Sequence, residues 1–202
     1  MSRRLFAVVA VAWLFAPVAA RATTIDFEST PVGTYAALPF GDVTITFEAG
    51  THLFDVVDNG PGQPGPPLSG HELISYFKNP GPGRFKAAFS IPGVRSFSID
   101  VGDFDADVDN DFLQVYDASN NLIGSDSFVN PASNFGGGTM SVNTSADIAY
   151  ALFWDDEPFA GAVYWDNLTY EAATTTVPEP ASLLLLGGGL IGAAARKRRA
   201  RA

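Results

Sequence analysis

The chain has 202 residues, with twelve Lys or Arg against twenty-two Asp or Glu, a net charge of −10 and no cysteine. Disulfides, zinc-thiolate sites and thiol catalysis are therefore excluded. All twenty-two acidic residues lie between residues 23 and 180, where only Lys78, Arg84, Lys86 and Arg95 are basic: four against twenty-two, a net of −18. Such a body repels nucleic acid and anionic lipid and attracts divalent cations.

Arg3 and Arg4 precede an apolar run over residues 5–16, Pro17 breaks it, and Ala20-Arg21-Ala22 supplies small residues at an A-x-A spacing. These are the parts of a secretory signal peptide, assigned to residues 1–22, with Thr23 as the first residue after cleavage. Ser2-Arg3-Arg4-Leu5-Phe6 is similar to the start of a twin-arginine leader. The run behind it is rather hydrophobic for that route, and the general secretory path is favoured.

The body, residues 23–171, is the size of one domain and long enough to bury a core. Residues 24–28 and 43–48 alternate apolar and polar side chains, as half-buried strands do. Residues 29–38 hold Pro31 and Gly33 and read as a loop. A strand is expected over 52–57. Residues 58–70 hold four prolines and read as an exposed loop. Further strands are expected over 73–77, 85–91 and 94–101, the last with its larger side chains, Arg95, Phe97, Ile99 and Val101, on one face. Strands over 112–116 and 122–129 flank Asp117-Ala118-Ser119-Asn120-Asn121, a hairpin turn. Gly136-Gly137-Gly138 reads as a loop. Residues 140–142, 148–154 and 162–170 complete about ten short strands. This spacing predicts an all-β fold, a jelly-roll-like antiparallel β-sandwich, with an N-terminal signal helix and a short C-terminal apolar helix.

Asp103, Asp105, Asp107, Asp109 and Asp111 form the densest charge in the chain. Hard oxygen donors at this density suit Ca²⁺. An EF-hand is excluded, because Val108 stands where its turn glycine belongs and Gln114 where its closing glutamate belongs. Two readings stand: a Ca²⁺-binding loop, or a solvated acidic loop. Trp154-Asp155-Asp156-Glu157-Pro158 also sets acids beside an aromatic, but adjacent residues do not give the opposed carboxylates of a glycosidase. Trp154, Tyr164 and Trp165 are of the kind that stack on sugars and of the kind that fill a sandwich core; the core is favoured. His52 and His71 are isolated, with no nucleophile motif beside them, and no phosphate-binding loop is present.

Residues 172–176 read as a linker. Behind it come Pro178-Glu179-Pro180, an apolar span over 181–195 and a basic tail over 196–202. The prolines hold the tripeptide out of helix, and the basic tail resists crossing a bilayer. Fifteen helical residues span about 22 Å against a hydrocarbon core of about 30 Å. The span therefore makes a transient membrane segment and a poor permanent anchor.

This tail, residues 177–202, resembles the PEP-CTERM sorting signal of exported bacterial proteins. The resemblance rests on Pro178-Glu179-Pro180, the Leu183 to Leu186 and Gly187 to Gly189 runs, and the basic cluster from Arg196. It implies that an exosortase-type membrane peptidase removes the tail, with this protein as its substrate, and helps place the body at the cell surface. The closing residues 163–170, with Asp166-Asn167, and the opening Ile25-Asp26-Phe27-Glu28 resemble galactose-binding-like and carbohydrate-binding jelly rolls. That resemblance implies a structural Ca²⁺ site where the first and last strands meet, at Glu28 and Asp166, with Asp26 a lesser candidate.

The expectation is a non-enzymatic exported protein of the cell surface or extracellular polysaccharide matrix of a Gram-negative bacterium, structural or adhesive, with Ca²⁺ as its one cofactor. The competing expectation is a carbohydrate-binding module, which requires an exposed aromatic row on a sheet face. The third is a secreted hydrolase or lyase, which requires two opposed carboxylates or a carboxylate–histidine pair.

Overall fold

Alternation is clearest where the chain forms Val43-Thr44-Ile45-Thr46-Phe47: the odd positions are buried and the threonines face outward. The computed structural model describes residues 21–48, 53–59, 68–74, 83–103, 108–130, 136–156 and 163–173. Among them are thirteen strands and no helix: β1 (Arg21–Ile25), β2 (Gly33–Tyr35), β3 (Ala37–Phe40), β4 (Val43–Phe47), β5 (Phe54–Asp58), β6 (His71–Ile74), β7 (Phe85–Phe89), β8 (Val94–Asp103), β9 (Asp109–Tyr116), β10 (Leu122–Asn130), β11 (Gly137–Asn143), β12 (Tyr150–Asp155) and β13 (Val163–Ala172). The signal segment upstream of residue 21, the Pro178-Glu179-Pro180 motif and the apolar span lie outside the described residues.

The strands form two antiparallel sheets. The first runs β11-β8-β13-β6-β5-β2, with β1 also paired to β13; the second runs β10-β9-β12-β7-β4-β3. From β7 onward the chain passes repeatedly between the sheets, so that, apart from the β9–β10 hairpin, consecutive strands lie in opposite layers. The all-β sandwich is as expected from the sequence.

Local differences have local causes. Residues 29–38 are not all loop: β2 and the start of β3 lie there. Both are edge strands, where Pro39 costs no ladder bond. Gly137 and Gly138 are strand, not loop: a side chain at Gly138 would strike the Phe128 ring, and one at Gly137 the Val101 carbonyl. Phe97, Ile99 and Val101 share the buried face as expected, but Arg95 is exposed and Val94 is buried. The register with β13 shifts there, which reverses the alternation.

The inner faces meet in an aromatic core centred on Phe85. Its ring stacks on Phe47 at 4.6 Å and on Phe153 at 5.1 Å, and meets Phe54 edge-on at 5.4 Å. Phe153 in turn packs on Trp165 of the opposite sheet at 5.1 Å. Such contacts join the layers by area burial and by favourable ring geometry. Phe85→Ala is expected to cost about 3–5 kcal/mol of stability by urea unfolding, whereas Thr46→Ala on the outer face stays within about 0.5 kcal/mol.

Candidate metal centre and aromatic face

Strand register builds a row of acids on the outer face of the first sheet. Asp100 of β8 pairs with Asp166 of β13 on one side and with Thr139 of β11 on the other. The β13–β6 pairing at Trp165–Leu73 continues to Glu72, which feels the charge of Asp166. Leu73 points into the core, so Glu72 points outward. Yet Glu72, Asp166 and Asp100 are only 0%, 1% and 8% exposed. The segment before β6 crosses this face: Leu68 packs with Ile74 and Tyr164, and the Ser69 amide donates to Asp166 Oδ2 at 3.4 Å.

Glu28 reaches the same corner from the turn after β1. Phe27 there has φ 56°, a costly conformation for an aromatic residue, held by a ring buried edge-on to Phe40. Glu28 Oε1 accepts the His71 amide at 3.1 Å, and its carboxylate fills the space that a side chain at Gly70 would need. Asn167, at φ 47°, forms a bulge and donates from Nδ2 to Asp100 Oδ2 at 2.9 Å. Glu28 and Asp166, which the resemblance pairs, thus lie close enough for their charges to act on each other, with Glu72 and Asp100 beside them. Asp26 instead accepts the Glu28 amide within the turn.

Burial is the main cause that pushes the Glu72 carboxyl up to about 7; an Asn59 hydrogen bond opposes it, and Asp166, Glu28 and Asp58 add to it. Burial likewise raises Asp166 to about 7, against bonds from the Asn167 and Ser69 amides and with help from Asp100 and Glu28. Glu72 Oε2 accepts from Asn59 at 2.6 Å, while Oε1 is buried without a hydrogen-bond partner. The ring of His71 has Nδ1 2.8 Å from the Thr30 carbonyl, to which it donates, so that nitrogen is held by backbone and not by a carboxylate. His52 lies outside the described residues. No group of three or more acidic or histidine side chains among the described residues already stands in metal-ligating geometry.

The acidic segment is only partly a loop. Asp103 ends β8, and Asp109 and Asp111 open β9, all three buried. The solvated-loop reading therefore fails for these three. Asp105 and Asp107 lie outside the described residues. Asp155, one of the adjacent acids beside Trp154, is buried on β12 opposite Asp111. Burial first, then Asp155, Asp109 and Asp103, push Asp111 up to about 8.

The outer face of the second sheet is aromatic. Phe112 and Tyr116 of β9 stand opposite Trp154 and Tyr150 of β12. Phe112 stacks on Trp154 at 5.3 Å and Tyr116 on Tyr150 at 4.9 Å. Arg84 caps the far side of Trp154 at 5.3 Å, and Lys86 that of Tyr150 at 4.2 Å. Leu152 is buried between the stacks. Beyond Phe112 the neighbouring strand offers only the small, exposed Ser127, with Ser125 opposite Gln114. The two stacks are four residues apart, about 14 Å along the strands. Trp165 fills the core as expected, but Tyr164 is buried on the opposite face of β13 against Leu68 and Ile74, and Trp154 belongs to this aromatic face, because alternation puts Phe153 and Trp165 inward.

Glu72, Asp166 and Asp111 bind protons more tightly folded than unfolded. Their contribution is complete below about pH 4 and is lost as pH rises through about 7 to 8; each tenfold change in proton affinity is worth about 1.4 kcal/mol. In chelator, the melting temperature is expected to fall between pH 5 and 8. Glu72→Gln should flatten that slope and raise the melting temperature at pH 8; an unchanged slope would show that Glu72 titrates normally.

The PEP-CTERM protein-sorting motif matches the chain over residues 176–199. No curated protein sequence matches it. Among solved structures, a cleaved adhesin domain of Lys-gingipain from Porphyromonas gingivalis is similar at 16% identity and a TM-score of 0.43, covering 75% of this chain and 98% of that one. A family 29 carbohydrate-binding module is similar at 10% identity and 0.37, covering 76% and 87%. The arabinose-bound MgGH51 α-L-arabinofuranosidase is similar at 9% identity and 0.42 over 72% of this chain, which spans only 25% of that enzyme. At these values the likeness is one of fold alone. The chain carries a PEP-CTERM sorting motif, and that motif marks an exported protein with a C-terminal sorting signal processed by an exosortase.

Proposed function

We propose that this chain is a non-catalytic adhesive protein whose β-sandwich binds extracellular polysaccharide on the outer face of the second sheet. An exosortase-type membrane peptidase removes its tail after a membrane-associated stage, leaving the body at the cell surface or in the matrix. The observation that carries the binding role is the pair of aromatic stacks, Phe112–Trp154 and Tyr116–Tyr150, on one half-exposed face.

A sugar ring presents a C–H face that packs on an aromatic face, with hydroxyls at its edge. Arg84 and Lys86 already occupy one side of each stack. The ring faces of Phe112 and Tyr116 that look toward β10 are therefore the ones that take sugar. Ser127 opposite Phe112 and Ser125 opposite Gln114 are small hydrogen-bonding groups there, while the exposed Leu122 opposite Tyr116 adds an apolar contact at the other end. A separation of about 14 Å suits an extended polysaccharide better than a single sugar. The net charge of the body favours a neutral polymer over an acidic one.

The corner of Glu28, Glu72, Asp100 and Asp166 fits a structural Ca²⁺. Its donors are oxygens alone, and the buried Glu72 Oε1 lacks a hydrogen-bond partner. These four residues would hold the ion, which supplies charge neutralisation where β1, β6, β8 and β13 meet.

Affinity electrophoresis of the full chain through gels containing mannan, xyloglucan or alginate tests the binding role. Retardation is expected in a neutral polymer. Phe112→Ala with Tyr116→Ala should weaken it at least tenfold, in line with about 0.5–1.5 kcal/mol for each ring pair. Retention of binding by that folded variant, or retardation by alginate alone, overturns the reading.

A further inference from the structure

At one end of the sandwich, three core-facing rows of side chains change from apolar to acidic. On β8 the row Phe97, Ile99, Val101 ends in Asp103; on β9 Val115 and Leu113 lead to Asp111 and Asp109; on β12 Ala151 and Phe153 lead to Asp155. Asp155 is directly opposite Asp111, and Asn130 of β10 is directly opposite Asp109. Asn130 donates from Nδ2 to the Gly136 carbonyl, which also accepts the Asp103 amide. The group therefore spans both sheets. None of these five side chains is more than 5% exposed.

Both carboxylate oxygens of Asp111 are buried without a hydrogen-bond partner, and so is Asn130 Oδ1. A carboxylate in that condition costs several kcal/mol or takes up a proton. Among the described residues the basic side chains of the body are engaged elsewhere: Arg84 pairs with Glu48, Arg95 pairs with Asp147, and Lys86 lies over Tyr150. Two unpartnered acceptor groups aimed into a nest of carboxylates are what a cation would satisfy.

We infer that Asp103, Asp109, Asp111, Asp155 and Asn130 form a second Ca²⁺ site, between the two sheets and separate from the corner at Glu28 and Asp166. The donors are all hard oxygens, and four carboxylates with one amide reach the six to eight oxygens that Ca²⁺ accepts. Repulsion among the aspartates resists convergence; an ion removes it and draws β8 toward β9 and β12. The sandwich is then clamped at this end by the ion, where the Phe85 core no longer reaches.

Calcium titration of the full chain by calorimetry, with native mass spectrometry, tests this. The parent is expected to bind two Ca²⁺ ions. Asp111→Asn with Asp155→Asn should remove one and leave the other, whereas Glu72→Gln with Asp166→Asn should remove the other and leave this one. The two sites therefore fail separately. Asn130→Asp adds a charged donor and should tighten this site severalfold, an outcome that misfolding does not produce. Two results overturn the inference: unchanged stoichiometry and affinity in the Asp111 and Asp155 variant, or no binding by the parent at millimolar Ca²⁺. A gain in chelator stability at pH 8 in Asp111→Asn, with no calcium response in the parent, would assign the group as a protonated carboxyl instead.

Discussion

Like-charge repulsion is the constraint on which this structure turns. A body with twenty-one acids and four bases has far too few cations to neutralise its carboxylates. It nevertheless buries Glu72, Asp100 and Asp166 under one surface segment, and Asp103, Asp109, Asp111 and Asp155 between the sheets. Backbone amides, Asn59, Asn167 and Thr139 satisfy part of the first group. Protonation relieves what remains, and a cation bound at the proposed sites would compete with protons for the same oxygens. Stability and pH are therefore linked in this protein, and the proposed calcium sites would tie both to calcium. The link acts at two places: where the first and last strands close the first sheet, and where the two sheets meet.

Between those places, the aromatic core does the holding. Phe47, Phe85 and Phe153 from the second sheet and Phe54 and Trp165 from the first form one continuous packing unit. It frees the outer faces for other work. The first sheet uses its outer face for the acid row, roofed by Leu68. The second leaves its outer face half-open and aromatic. Period-two alternation alone makes this division, since each strand offers one face to the core and one away from it. The same rule explains why Phe153 and Trp154, adjacent in sequence, serve different ends.

Export gives this arrangement a setting. The sorting motif marks the chain for export, and no cysteine is available to staple the fold. The two calcium sites proposed above would do the part that disulfides play in many secreted domains, by linking segments whose separation otherwise costs chain entropy.

Much of this was legible in the chain. Alternation in residues 43–48 and 112–116, the turn at Asp117 to Asn121 and the order of motif, apolar span and basic tail each depend on neighbours in sequence. They could be read without a fold. The pairing of Glu28 with Asp166 was legible only through resemblance. Glu72 and Asp100 were not, because one is a lone acid in an apolar run and the other one polar residue among serines. The place of Asp155 beside Asp111 was not legible either, because the two lie on different strands far apart in the chain. The sequence by itself determined that the body is all-β, acidic, cysteine-free and tagged for sorting, since these follow from composition and local pattern. Only the tertiary structure decided which carboxylates share a site and which aromatics face outward, because strand register and bulges set those neighbours, and a shift of one residue would exchange every one of them.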